Sequence, residues 1–329
     1  MTEGPILVRP HSSYQHEALL YRGVDAFLAG TVGFVRDALA SEQPVMVVVA
    51  EPRLGELREA LGGDARRVRM MDMAAVGANP ARIIPAWQEF LDGHDDDQPI
   101  RGIGEPIWFG RRAAEIAECQ LHEALLNLAV EPDRPFWLRC PYDADALPAE
   151  IVDAAHHSHP VLVEAGDYRG STNYGGVVHA EEMFGEPLPE PSVSAAGYVF
   201  DGMTVTVAVK HAVAEAAELG LDSKRLLDLT TALREILDNS VGHGGGGGTL
   251  RLWHDREAFV CEVRDTGHIE DPMIGRRRQV DDSGRPSGLW LANQLCDMVQ
   301  VRSSADGTTV RLVSWLTAAA DGRTPTSRR

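Results

Sequence analysis

Across residues 24–39 the apolar side chains Val24, Phe27, Leu28, Val32, Val35 and Leu39 recur every three or four positions, the period of one helix face. Pro44 then introduces Val45–Val49, an unbroken apolar run of the kind found in parallel strands covered on both faces. The pattern continues to alternate. A helix is expected over 54–61, ending at Gly62-Gly63, then a strand over 68–71, helices over 82–91 and 112–128, and a strand over 136–140. Strands alternating with helices predict an α/β layered domain in the first half of the chain.

The second half reads differently. Residues 186–192 contain three prolines, which can continue neither a helix nor a central strand. Residues 198–209 are rich in β-branched positions and suggest strands. Helices follow over 210–219 and 223–241, a strand pair over 249–253 and 258–264, a helix over 288–298 and a last strand over 310–316. The glycines 244–248 lack the Lys-Ser/Thr of a phosphate loop and read as a flexible connection. The expected division is a first domain over 1–185, a Pro-rich linker over 186–197, a second domain over 198–318 and a disordered tail over 319–329.

Composition narrows the function classes. With 329 residues, two domains of ordinary size are expected. The net charge of −18 opposes bulk binding to nucleic acid or to anionic lipid. Four cysteines without C-x-x-C spacing do not make a disulfide scaffold and suit a reducing compartment. No basic region followed by an apolar stretch opens the chain, and no apolar run approaches the roughly 20 residues of a spanning helix. A soluble, cytoplasmic protein without membrane contact is expected.

Candidate chemistry in the second half falls in four pieces. Glu235, Asn239 and His243 are spaced by four on the predicted helix, so Glu235 and Asn239 share a face. Asp265-Thr266-Gly267 follows an apolar strand, Gly288-Leu289 opens a helix, and Gly307-Thr308 opens the final strand. An Asn carbonyl is a hard ligand suited to Mg²⁺. A carboxylate at a strand end accepts an exocyclic amine, Gly267 leaves room for a base plane, and a helix start offers free N–H groups to phosphate. Glu235 is placed to accept a proton. These pieces, in this order, resemble the GHKL (Bergerat-fold) ATPase domain of gyrase, histidine kinases and anti-sigma factor Ser/Thr kinases. The resemblance implies an α+β two-layer sandwich binding ATP and Mg²⁺. It makes Glu235 the catalytic base, Asn239 the Mg²⁺ ligand, and His243, Asp265, Gly267, Gly288, Leu289 and Thr308 nucleotide-binding residues. One departure stands out: the second glycine box reads Pro286-Ser287-Gly288-Leu289, and a proline has no N–H to give.

In the first half, Cys119 and His122 are three apart on a predicted helix, and His16 and Cys140 are available to complete a transition-metal or small-ligand site. A buried structural cysteine is the competing reading of Cys119. His156, His157 and His159, just before Pro160, read as a solvated helix end. Glu105 is expected either to pair with Arg101 or to bind a polar ligand. The strings His16-Glu17-Ala18-Leu19, Asn79-Pro80-Ala81-Arg82, Arg101-Gly102-Ile103-Gly104-Glu105-Pro106, Glu118-Cys119-Gln120-Leu121-His122-Glu123 and Cys140-Pro141-Tyr142 resemble the MEDS sensory domain. That resemblance implies a RecA-like layered sheet without a P-loop, and a small-molecule signal.

Taken together, the two halves resemble anti-sigma regulatory proteins of the RsbA type. The resemblance implies a sensor controlling a module that sequesters a sigma factor and phosphorylates Ser or Thr on an anti-anti-sigma (STAS-type) partner. Two rivals stay open: a sensor histidine kinase, and a non-catalytic module in which nucleotide tunes partner binding. A homodimer is compatible with all three.

Overall fold

The structure, a computed structural model, describes residues 13–278, 284 and 286–316. The tail expected from 319 onward lies outside them. The chain divides into two compact units: Met1–Glu186 with Glu270–Trp290, and Pro187–Ile269 with Leu291–Arg329.

The first unit runs β1 (Gln15–Tyr21), α1 (Gly23–Ala40), β2 (Val45–Val49), α2 (Arg53–Leu61), β3 (Arg69–Asp72), α3 (Met73–Val76), α4 (Ile83–Asp92), β4 (Ile100–Gly104), α5 (Ala113–Ala129), β5 (Phe136–Asp143), α6 (Ala149–Ser158), β6 (Val161–Glu164), β7 (Asp167–Gly170) and α7 (Gly176–Gly185). The sheet order is β3-β2-β4-β5-β1-β6-β7. All neighbours are parallel except the β6–β7 pair. This is the parallel-rich α/β layer expected for the first half of the chain. One residue, Arg22, separates β1 from α1, so no phosphate-cradling loop fits between them.

Strand β2 shows why the pattern is uninterrupted. Val45, Val47 and Val49 pack with Phe27, Phe34 and Val35 of α1 and with Leu54 and Leu57 of α2. Met46 and Val48 are equally buried and point to the opposite face. Burying each such side chain contributes roughly 1.5–3 kcal/mol. Charged residues also lie inside this unit. The segment Glu270–Trp290 packs here, with Arg276 Nη2 3.1 Å from Glu118 Oε2 and Arg277 Nη2 donating to the Leu128 carbonyl.

The second unit contains β8 (Ala196–Asp201), α8 (Val205–Glu218), α9 (Ser223–His243), β9 (Gly247–His254) and β10 (Ala258–Asp265). After α10 (Gly288–Leu295), which begins in the segment of the first unit, come β11 (Met298–Ser304) and β12 (Gly307–Trp315). The sheet is antiparallel throughout, in the order β11-β12-β10-β9-β8. Helix α9 lies against β9, β10 and β12, giving the expected two-layer α+β sandwich.

Two expectations fail here for local reasons. Residues 205–209 are helical, not extended. Asp201 Oδ1 accepts from the backbone N–H of Met203 and Thr204, which turns the chain into α8. Val205, Ala208, Val209, Ala212 and Ala216 then bury one face at helical spacing, and that tertiary stripe overrides β-propensity. The helix expected to reach 298 stops at Leu295, and Met298–Ser304 forms a strand instead.

Candidate functional site

Helix α9 is capped by Asp222, whose Oδ1 accepts from Arg225 N at 2.9 Å. Its buried stripe runs Leu229, Ala232, Leu233, Ile236, Leu237 and ends at Ser240. Ser240 Oγ donates to Asp265 Oδ2 at 2.6 Å, joining the helix to the end of β10. Gly267 N donates to Asp265 Oδ1 at 2.8 Å, so the carboxylate closes its own turn. Across the sheet, Asp265 stands in register with Thr308 of β12. Thr308 Oγ1 donates to the Gly267 carbonyl at 2.9 Å and lies 2.9 Å from Ser303 Oγ. Ser240, Asp265, Gly267 and Thr308 therefore form one hydrogen-bonded constellation.

Between α9 and β9, Gly244 and Gly245 are tightly placed, and Gly246 is open to space. A Cβ on Gly244 would fall 2.4 Å from Asp265 Cγ. A Cβ on Gly267 would meet Gly244 Cα and the His243 carbonyl at 2.9 Å each. The space expected beside Gly267 for a base plane is thus used in part by the chain's own backbone. Gly247 and Gly248 already belong to β9.

Glu235 and Asn239 lie half-buried, one turn apart, on the part of α9 that leads to Ser240. Asn239 makes no side-chain hydrogen bond among the described residues. Asp265 is also half-buried, and each of its oxygens receives one donor, which leaves acceptor capacity on both. His243 is exposed at the C-terminal end of α9. Gly288 and Leu289 open α10 and are buried, and Ser287 Oγ accepts from Trp290 N at 3.3 Å. They belong to the segment that packs in the first unit.

In the first unit the expected set of His16, Cys119, His122 and Cys140 does not assemble. His16 and Cys140 come together on β1 and β5, with 3.4 Å between Nε2 and Sγ. The partners that join them are Glu123 and His159, not Cys119 and His122. His122 does not join them, and its buried Nδ1 has no hydrogen-bond partner among the described residues. Cys119 is buried, and its thiol is pushed up to about 12 by that burial. His159 is fully buried, unlike the solvated helix end expected there. Glu105 does not pair with Arg101, whose guanidinium stacks on Phe34 and Trp137 at 4.8 Å from each ring. It accepts instead from Tyr21 Oη at 2.9 Å.

The family model described as MEDS, "MEthanogen/methylotroph, DcmR Sensory domain", matches residues 15–160. A second, described as "Histidine kinase-like ATPase domain", matches residues 203–314. The chain joins a MEDS domain to a histidine kinase-like ATPase domain. No curated protein matches the chain. Among solved structures, one titled "The crystal structure of the RsbU and RsbW domains of Rv1364c from Mycobacterium tuberculosis" is similar at 20% identity and a TM-score of 0.30. The match covers 40% of this chain and 35% of that one, a likeness too small to carry an argument. The Ser240–Asp265–Thr308 constellation lies inside the ATPase domain, and the His16–Cys140 pair inside the MEDS domain. No helix among the described residues is long and apolar enough to cross a membrane.

Proposed function

We propose that the ATPase domain binds Mg-ATP and acts as an anti-sigma module, controlled by the MEDS domain as its sensor. The observation that carries this reading is the Asp265 constellation. A carboxylate held by Ser240 and Gly267 keeps lone pairs for an exocyclic amine, and the Asn239 amide makes no side-chain hydrogen bond among the described residues. That donor set fits an adenine nucleotide with its magnesium. Mg-ATP supplies a transferable phosphoryl group. Asp265 fixes the base, Thr308 fixes the Asp265 turn, and Asn239 offers its carbonyl to the metal. Glu235, one turn earlier, takes the proton of an attacking Ser or Thr hydroxyl on a STAS-type partner. Positioning supplies most of the catalysis in such transfers. His243 completes the nucleotide contacts, and a sigma factor is the protein held inactive. In the MEDS domain, a cavity of about 670 Å³ lined by Leu19, Phe34, Trp137, Arg101 and Arg139 suits a small, largely apolar signal.

Calorimetry with Mg-ATP tests the nucleotide site. Asp265→Asn replaces an acceptor oxygen with an amine that faces other donors, so affinity is expected to fall at least about tenfold. Gly244→Ala is expected to weaken binding as well, because its methyl would displace the carboxylate. Absence of binding to the folded wild type overturns the reading. Phosphate on a partner serine or threonine, against phosphate on histidine or none, decides between the kinase and its rivals.

A further inference from the structure

His16, Glu123, Cys140 and His159 bring one potential ligand atom each within 4.8 Å of one another, and no side chain of the four is more than 1% exposed. They come from four places in the fold: β1, α5, β5 and the residue that ends α6. The arrangement of protons matters most. His159 Nδ1 lies 2.8 Å from the Ala155 carbonyl, and His16 Nδ1 lies 3.2 Å from Asn127 Oδ1. Asn127 is itself oriented, since its Nδ2 donates to the carbonyls of Ser158 at 2.8 Å and Ala124 at 3.2 Å. Both partners of the imidazoles are oxygens that only accept. Each ring therefore carries a proton on Nδ1, and in the neutral imidazole an Nε2 lone pair turns inward.

Those two Nε2 atoms lie 3.1 Å and 3.3 Å from the same oxygen, Glu123 Oε2. Three acceptors thus face each other in a dry interior, with the Cys140 sulfur 3.4 Å from His16 Nε2. Glu123 Oε1 and His159 Nε2 have no hydrogen-bond partner among the described residues. A proton on one imidazole resolves one contact and leaves the other lone pair against a carboxylate. A cation held by all four resolves every contact at once. Tetrahedral zinc-class ions hold N, O and S ligands at about 2.0–2.3 Å, which places the ligand atoms about 3.2–3.8 Å apart. The spacings of 3.1, 3.3 and 3.4 Å are close to that shell. The Nδ1–H bonds to Ala155 and Asn127 are the outer contacts that orient metal-binding imidazoles.

We propose that His16, Glu123, Cys140 and His159 bind one divalent transition-metal ion of the zinc class. Four protein ligands leave no open position, so the ion acts as a clasp between β1, β5, α5 and α6 and not as a catalyst.

The test uses the full chain, loaded with Zn²⁺ or Co²⁺ and assayed without nucleotide, so its outcome is independent of the ATP reading. One metal per chain is expected by elemental analysis. The cobalt form is expected to show intense tetrahedral visible bands and a thiolate-to-cobalt band. Cys140→Ser removes the thiolate band, His159→Ala lowers metal affinity at least tenfold, and Cys119→Ser leaves both unchanged. Should the variants fail to fold, the wild-type cobalt spectrum still decides. A folded wild type that takes up neither ion, or a cobalt spectrum without thiolate character, overturns the proposal, as does loss of metal in Cys119→Ser with retention in Cys140→Ser.

Discussion

Replacing Glu262 by alanine is expected to destabilise the second unit by about 3–5 kcal/mol, the cost of removing one partner from a buried ion pair. Glu262 is wholly buried in the middle of β10. Its cross-strand neighbours are Arg251 on β9 and Arg311 on β12. Arg251 Nη1 and Arg264 Nε lie 2.9 and 2.8 Å from Oε1, and Arg311 Nε lies 2.5 Å from Oε2. Three guanidinium groups therefore converge on one carboxylate. Arg251 and Arg264 keep a second partner in Glu190, but Arg311 is buried and among the described residues would retain the Pro189 carbonyl and the face of Trp253. Most of the cost should thus fall on Arg311. Replacing Glu262 and Arg311 together by leucine should lose less than Glu262→Ala alone, since no charge is then stranded without its main counter-charge. Urea unfolding of the three proteins measures this. A loss below about 1 kcal/mol for Glu262→Ala would mean that the cluster behaves as an exposed surface network.

The same cluster shows what a one-dimensional pattern conceals. Arg251, Glu262 and Arg311 stand in register on three adjacent strands, with Arg264 two positions along β10. In the fold Pro189 and Glu190, from the stretch expected to be a bare linker, reach them and help bury them. Signals carried by neighbours in sequence were legible. The Val45–Val49 run, the Leu229–Ser240 face of α9 and the meeting of Asp265 with Thr308 depend on local spacing or motif order. The MEDS-domain cluster does not. Its members are separated by 107 residues between His16 and Glu123 and by 124 between His16 and Cys140. The three-residue step from Cys119 to His122 imitated a ligand pair. The side chain aimed at His16 is Glu123, one position later, and a helix turns by about 100° between adjacent residues. No spacing rule marks His159, which enters the cluster because α6 ends beside β1.

Glu105→Gln is expected to stabilise the first unit at alkaline pH and to change little in acid. Glu105 follows β4 at the C-terminal edge of the parallel sheet, with 2% of its surface exposed. Burial pushes its carboxyl up from 4.5 to about 8, although the Tyr21 hydroxyl and the nearby Arg53 charge both favour the ionised form. Its Oε2 meets no hydrogen-bond donor in good geometry among the described residues. The sign follows from proton counting. Between pH 4.5 and about 8 the native carboxyl holds a proton that the unfolded chain has released. The folded state therefore binds more protons, and stability falls as pH rises across that window. Above it the loss is complete and amounts to about 5 kcal/mol. Glutamine keeps an acceptor for Tyr21 and cannot ionise. The difference in stability between variant and wild type should therefore be near zero at pH 4.5, grow through neutrality and level off above pH 8. Denaturant unfolding of both proteins along this pH series reads the difference directly, and every other titrating group cancels from it. A difference that stays flat with pH would show that water reaches the carboxylate. A difference of opposite sign would show that Arg53, which also pairs with Asp143 at 3.2 Å, holds Glu105 as an anion.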